Sequence, residues 1–133
     1  MTKENTLFIT HEIKTQMMMK LKSPLQLLWF HIKDGNFAKF KQEMEKHKVF
    51  VDSLDDEQNS LLSLAVQCNS YDIAELLLNQ GANVNLQNSY LNSPLHYALS
   101  HQNFRIANLL INKKADEELI NSRGLTPWQC IGK

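Results

Sequence analysis

From residue 59 onward the apolar positions fall into short helical stripes. Leu61, Leu62, Leu64, Ala65 and Val66 share one side of a helix, and Ile73, Ala74, Leu76, Leu77 and Leu78 share one side of another. The break between them, residues 67–70, is short and polar, so the two helices fold back antiparallel. Gly81 suits a left-handed cap at the end of the second helix. Pro94 and Pro127 sit where a helix's first turn tolerates a missing donor, and Ala65 and Ala98 let helices approach closely. One pair of helices this short cannot bury both stripes. Stacked neighbours can, and they then share one continuous core.

The stripes repeat. Asn59-Ser-Leu-Leu-Ser-Leu-Ala-Val66, Asn92-Ser-Pro-Leu-His-Tyr-Ala-Leu99 and Leu125-Thr-Pro-Trp-Gln-Cys-Ile-Gly132 align with Ser60, Ser93 and Thr126 in register, 33 residues apart each time. The later half of the unit repeats in the same frame, since Tyr71-Asp-Ile-Ala-Glu-Leu-Leu-Leu matches Phe104-Arg-Ile-Ala-Asn-Leu-Leu-Ile. A 33-residue period opening on T-P-L-H-x-A is the ankyrin signature. The chain resembles the ankyrin-repeat family on these residues: Ser93-Pro94-Leu95-His96-Tyr97-Ala98 for TPLHxA, Gly81-Ala82-Asn83-Val84-Asn85 for GAxVN, and Gly124-Leu125-Thr126-Pro127-Trp128 for GxTPL with Trp for Leu. The resemblance covers residues 25–133 and implies an all-α solenoid of helix-turn-helix units joined by β-turn fingers.

The two ends depart from the pattern. In the opening unit, residues 27–40 resemble a first repeat with Gly35 at the helix-helix turn. Its second helix, about residues 37–46, is charged, and Glu43 stands where the family usually has Leu. Gly35 to Asn69 spans 34 positions, one more than the period. Lys41, Glu45, Lys46 and Lys48 suit a capping repeat with a polar outer face. After Thr126-Pro127 there is room for barely two helical turns, so the third repeat's outer face is half covered. Either the chain is a fragment or a partner completes the stack, and the apolar surface left over marks an interface. The expected organisation is an N-terminal extension over 1–22, partly helical, and a repeat domain over 23–133: a divergent repeat about 25–54, repeats about 55–87 and 88–120, and a truncated repeat 121–133. In the extension, Thr10 suits a helix cap, with Ile13, Met17 and Leu21 along one side and Met17-Met18-Met19 as adaptable apolar surface. It either covers the first repeat or docks on a partner.

Composition narrows the function. Lys plus Arg equals Asp plus Glu, 14 against 14, so no global field draws the chain to nucleic acid or an anionic membrane. Arg occurs only as Arg105 and Arg123. No apolar run approaches the roughly 18 residues that span a bilayer. Neither a signal peptide nor an Arg-rich transit peptide is legible at the N-terminus. Two cysteines, Cys68 and Cys130, do not make a disulfide framework, and a reducing, intracellular and cytoplasmic setting is expected, with a cytoskeletal or organellar complex as a possible host.

Little in the chain suggests catalysis. The resemblance makes His96 a structural histidine that ties one repeat's backbone to the next. Cys68 and His101 occupy equivalent positions in successive repeats and are expected at neighbouring helix-helix turns, facing the concave side. Repeats stack about 8–10 Å apart, whereas zinc takes four ligands at about 2.0–2.3 Å, and Cys130 and His31 lie at other phases. Asp52, Asp55, Asp56 and Glu57 form an acidic run without the glycine a calcium loop requires, and read as the finger between the first two repeats. None of the four glycines forms a phosphate-binding loop. No cofactor or metal is expected. Lys14, Lys20, Lys22, Lys39, Lys41, Lys46 and Lys48 gather in the N-terminal third, as a solvated face or a patch for an acidic protein surface.

These features point to a non-catalytic protein-protein interaction module, an adaptor or a structural subunit of a larger assembly, with no nucleic acid, membrane insertion or small-molecule substrate. In ankyrin families partners meet the finger tips and inner-helix ends. By phase those are Asp56, Glu57, Asn59, Gln67 and Cys68; then Ser89, Tyr90, Asn92, Ser100 and His101; then Ser122 and Arg123. Tyr90 is the first choice of anchor, and Trp128 and Ile131 offer an end-on contact. The alternatives are a regulatory inhibitor of a partner protein, and a small thiol- or metal-dependent enzyme or sensor using Cys68 and His101.

Overall fold

The computed structural model describes residues 23–47 and 50–133. The helix expected after Thr10, and Lys14, Lys20, Lys22 and Lys48, lie outside the described residues. Among the described residues there are six α-helices and no strand: α1 Pro24–Asp34, α2 Phe37–His47, α3 Leu61–Gln67, α4 Tyr71–Asn79, α5 Pro94–Ser100 and α6 Phe104–Asn112. A 3-10 helix, Pro127–Cys130, follows them.

Each inner helix starts on a hydroxyl. Ser60 and Ser93 accept from the backbone N–H groups of Ser63 and His96, and Ser23 and Thr126 each take part in a reciprocal capping box. Helices end in a repeated way as well. Gly35, Asn69 and Gln102 adopt left-handed φ of 70°, 58° and 57°, and the next residue's N–H reaches back five positions, Asn36 to His31 O, Ser70 to Ala65 O, Asn103 to Ala98 O. Gly81 and Lys114 do the same after α4 and α6. Five helix ends therefore close with the same hydrogen-bonded reversal, only two of them using glycine.

The hairpins α1–α2, α3–α4 and α5–α6 stack so that α1, α3, α5 and the 3-10 helix form an inner layer and α2, α4 and α6 an outer one. The core between the layers is Leu28, Ile32, Phe40, Leu61, Leu62, Ala65, Ile73, Leu77, Leu95, Ala98, Leu99, Ile106 and Leu110, continuous from one unit to the next. Every stripe named from the sequence faces it, except that Leu64 and Leu76 are half-buried. In the first unit α1 has 11 residues where α3 and α5 have 7. Phe40 and Met44 carry the buried side of α2, while Lys39, Lys41, Glu45 and Lys46 are exposed. Glu43, placed in an apolar register, turns its carboxylate to His47 Nε2 at 3.1 Å. The fourth unit covers α5 with buried Cys130 and leaves Trp128 and Ile131 exposed.

Candidate protein-binding face

The fingers are built by three residues 33 positions apart. Asp55 Oδ1 accepts from the N–H groups of Glu57 and Asn59, each at 2.9 Å. Asn88 Oδ1 accepts from Tyr90 at 3.0 Å and Asn92 at 3.1 Å, and Asn121 Oδ1 from Arg123 at 3.0 Å and Leu125 at 3.1 Å. Such side-chain acceptors replace a sheet partner for the turn's backbone. Their amide groups then join finger to finger: Asn88 Nδ2 donates to Asn59 Oδ1 at 2.8 Å, and Asn121 Nδ2 to Asn92 Oδ1 at 3.0 Å. Backbone links run in the same register, from Ser89 N–H to Glu57 O and from Ser122 N–H to Tyr90 O. The result is a polar ladder along the finger edge, each rung repeating the last.

This ladder sorts the residues assigned to the face by phase. Asn59 is buried and Asn92 half-buried, with their amide oxygens engaged as rungs. Ser89 gives both its N–H and its hydroxyl to Glu57 O. Gln67 is half-buried and donates to Ser63 Oγ, and Ser100 Oγ donates to the backbone oxygen of Lys133. Asp56, Glu57, Tyr90, Ser122 and Arg123 project from the fingers into solvent. Tyr90 is 60% exposed. Its neighbour Leu91 is 47% exposed at φ 59°, in the position that Gly124 fills one repeat later. Ile120 is 56% exposed beside them, since Gln87 Nε2 donates to the carbonyls of both Leu91 and Ile120. Sequence phase put Tyr90 among the projecting finger residues and did not single out Leu91 or Ile120, which are exposed as well. The available signal was an apolar residue standing at a glycine phase. The end-on pair stays exposed, although Trp128 Nε1 is held by Glu117 Oε1 at 2.8 Å.

Cys68 and His101 face different surroundings. Cys68 lines a cleft at the helix-turn edge with Gly35, Phe37, Asn69 and Tyr71. His101 packs its ring at a tilt against Tyr97, 6.3 Å between centroids. Burial pushes the Cys68 thiol up, against a smaller opposing pull from Lys33. A raised value keeps sulfur protonated, the wrong direction for a nucleophile. His96 is buried, its Nδ1 accepting the Ser93 N–H at 3.0 Å and its Nε2 lying 2.9 Å from Leu125 O. An acceptor Nδ1 places the proton on Nε2, which donates across to the next repeat. Burial holds this imidazole below its ordinary value, and the same holds for buried His31.

The inner face carries a cleft toward each end of the stack. Between α1 and α3 a cleft of about 340 Å³ is lined by Trp29, Lys33, Asp55, Glu57, Asn59, Leu64 and Gln67. Between α5 and the 3-10 helix a smaller one of about 170 Å³ lies among Tyr97, Ser100, His101, Arg123, Cys130 and Lys133, over His96 and Asn92. Among the described residues there is no group of three or more His, Cys, Asp or Glu side chains placed to hold a metal ion, and no helix is long and apolar enough to cross a membrane.

The family model for ankyrin repeats in three copies matches residues 28–121. No curated protein matches the chain. With a 33-residue ladder of capped hairpins, a histidine bridging repeats and that match over most of its length, the chain belongs to the ankyrin-repeat family, whose members are generally protein-protein interaction modules and typically non-catalytic.

Proposed function

We propose that the chain is an adaptor or a structural subunit of a larger assembly, and that it binds its partner protein through the finger edge and the inner-helix face. The observation carrying this reading is an apolar patch across two fingers: Tyr90 and Leu91 at the tip of one and Ile120 at the foot of the next stand in solvent, on loops fixed by the asparagine ladder. A large amphipathic ring with two aliphatic side chains, held rigid before binding, is the makeup of an interface hot spot. Leu91 also supports it, because a left-handed leucine is held against its backbone preference, and such positions cluster at binding sites. Trp128 and Ile131, exposed beside the 3-10 helix, add a second contact.

The test is partner capture from the native source, read by mass spectrometry, with wild-type chain against Tyr90→Ala and Trp128→Ala. Loss of one specific set of proteins with Tyr90→Ala, at unchanged thermal stability, supports the finger reading. Retention of that set by both variants overturns it. A partner lost only with Trp128→Ala relocates binding to the end of the stack. The same capture, followed by an assay of the partner's activity, separates an adaptor from a regulatory inhibitor.

A further inference from the structure

Resting on the inner face as the binding surface, we propose that the cleft between α5 and the 3-10 helix is a carboxylate pocket, which seats an acidic side chain of a partner protein segment. Arg123 and Lys133 line it together with His101, and no acidic side chain does. Among the described residues neither Arg123 nor Lys133 is in an ion pair, the one such contact being Glu43 with His47. The backbone oxygen of Lys133 accepts from Ser100 Oγ at 2.5 Å, which holds this residue against α5, where it lines the pocket. The floor supplies polar and aromatic groups: the Tyr97 ring, its hydroxyl fixed by Asn88 Nδ2 at 2.6 Å, and the Asn92 amide. Arg beside Lys in a small concavity suits a carboxylate, which Arg can hold through two parallel hydrogen bonds.

The opposite cleft has the reverse character. Asp55 and Glu57 wall it, the Trp29 ring and Leu64 give it an apolar side, and Lys33 is its single cation. Carboxylates beside an indole suit a cationic side chain with an aliphatic stem. On a chain of zero net charge the inner face is therefore polarised end to end. The two clefts lie two stacking steps apart, about 20 Å at the usual helix-packing distance. An extended segment spans that in about six residues. The occupant is a partner segment with an acidic residue and a basic residue separated by that distance, and charge complementarity sets its direction along the groove.

The test is an NMR titration of the isotope-labelled 133-residue chain with three probes: hexaglutamate, hexalysine and inorganic phosphate. Hexaglutamate is expected to move the signals of His101, Arg123 and Lys133, and hexalysine those of the Trp29 indole, Asp55 and Glu57. Arg123→Glu combined with Lys133→Glu is expected to weaken hexaglutamate about tenfold and leave the hexalysine titration unchanged, which also reports that the variant is folded. The inference is overturned if hexaglutamate moves only Lys39, Lys41 and Lys46, if it moves nothing, or if phosphate binds as tightly as the peptide and marks a small-anion site. Partner capture separates it from the reading it rests on. Binding that survives the charge reversal but not Tyr90→Ala removes the carboxylate pocket and leaves the finger edge standing. Binding that survives both removes the reading itself.

Discussion

Leu91 holds a left-handed backbone at the tip of the middle finger, and nearly half of the residue stays in solvent. Left-handed φ costs an ordinary L-residue roughly 1–2 kcal/mol. Leu91→Gly is therefore expected to raise stability by up to about 1 kcal/mol after the added chain entropy of glycine, measured by urea unfolding, while weakening partner capture. A loss of stability would mean that the leucine side chain supports the finger. His96 gives the second residue-scale expectation. Burial keeps it neutral in the folded chain, so below its ordinary value of 6.5 the unfolded chain takes up more protons, and buried His31 acts in the same sense. The stability they supply is complete above that value and declines as pH falls below it toward the lowered folded-state values. Urea midpoints measured from about pH 7.5 to about pH 5.5 are expected to fall, and less steeply in His96→Asn. At neutral pH, His96→Ala removes the bond to Leu125 O and leaves a cavity, at about 2–3 kcal/mol.

At the scale of the element, the finger is an Asx-type turn rather than a strand pair. An isolated antiparallel bridge, Leu54 to Ser60, is the only sheet-like pairing among the described residues. Asn88 makes four side-chain hydrogen bonds, two accepted within its own finger and two donated, to Asn59 and Tyr97. Asn88→Ala is expected to cost about 2–3 kcal/mol and to release amide protection at Tyr90 and Asn92 in hydrogen exchange. Asn88→Asp keeps the two accepted bonds and loses the donated ones, so its exchange pattern separates the turn from the rung. A fully protected finger in Asn88→Ala would assign the turn to backbone bonds alone. The helices differ from the fingers in being legible beforehand. Ser60, Ser93 and Thr126 announce their starts and the polar breaks their ends. The ladder was not legible, because Asp55, Asn88 and Asn121 read as ordinary loop residues until their acceptors are seen to meet successive N–H groups.

At the scale of the molecule, each hairpin touches its neighbours in the stack, so stability is a sum over units and interfaces. Phe40 is fully buried in the end unit and Leu95 in a middle one. Phe40→Ala is expected to cost about 3–5 kcal/mol and Leu95→Ala about 2–5 kcal/mol, but their reach differs. Phe40→Ala is expected to raise hydrogen exchange chiefly in α1 and α2, whereas Leu95→Ala, which loosens contacts on both sides, raises it in every helix. Equal spreading from both sites would mean that the stack unfolds as one cooperative block.

The sequence by itself determined the architecture, because a 33-residue period in stripe, cap and turn admits one way of burying every stripe, namely stacking like against like. It also set the role of His96, whose position in the motif carries its partner with it, and it named Tyr90 as a projecting ring. Only the tertiary structure decided which polar residues are free to meet a partner. Asn59 and Asn92 share the finger phase with Tyr90 yet turn inward as rungs, while Leu91 and Ile120 turn out. Helical period fixes the angle of a side chain about its own axis, not what the adjacent repeat places there. For the same reason, the opposed charges of the two inner clefts emerge only when residues far apart in the chain, such as Trp29 with Asp55 or His101 with Arg123, are brought to one surface by the stacking of hairpins.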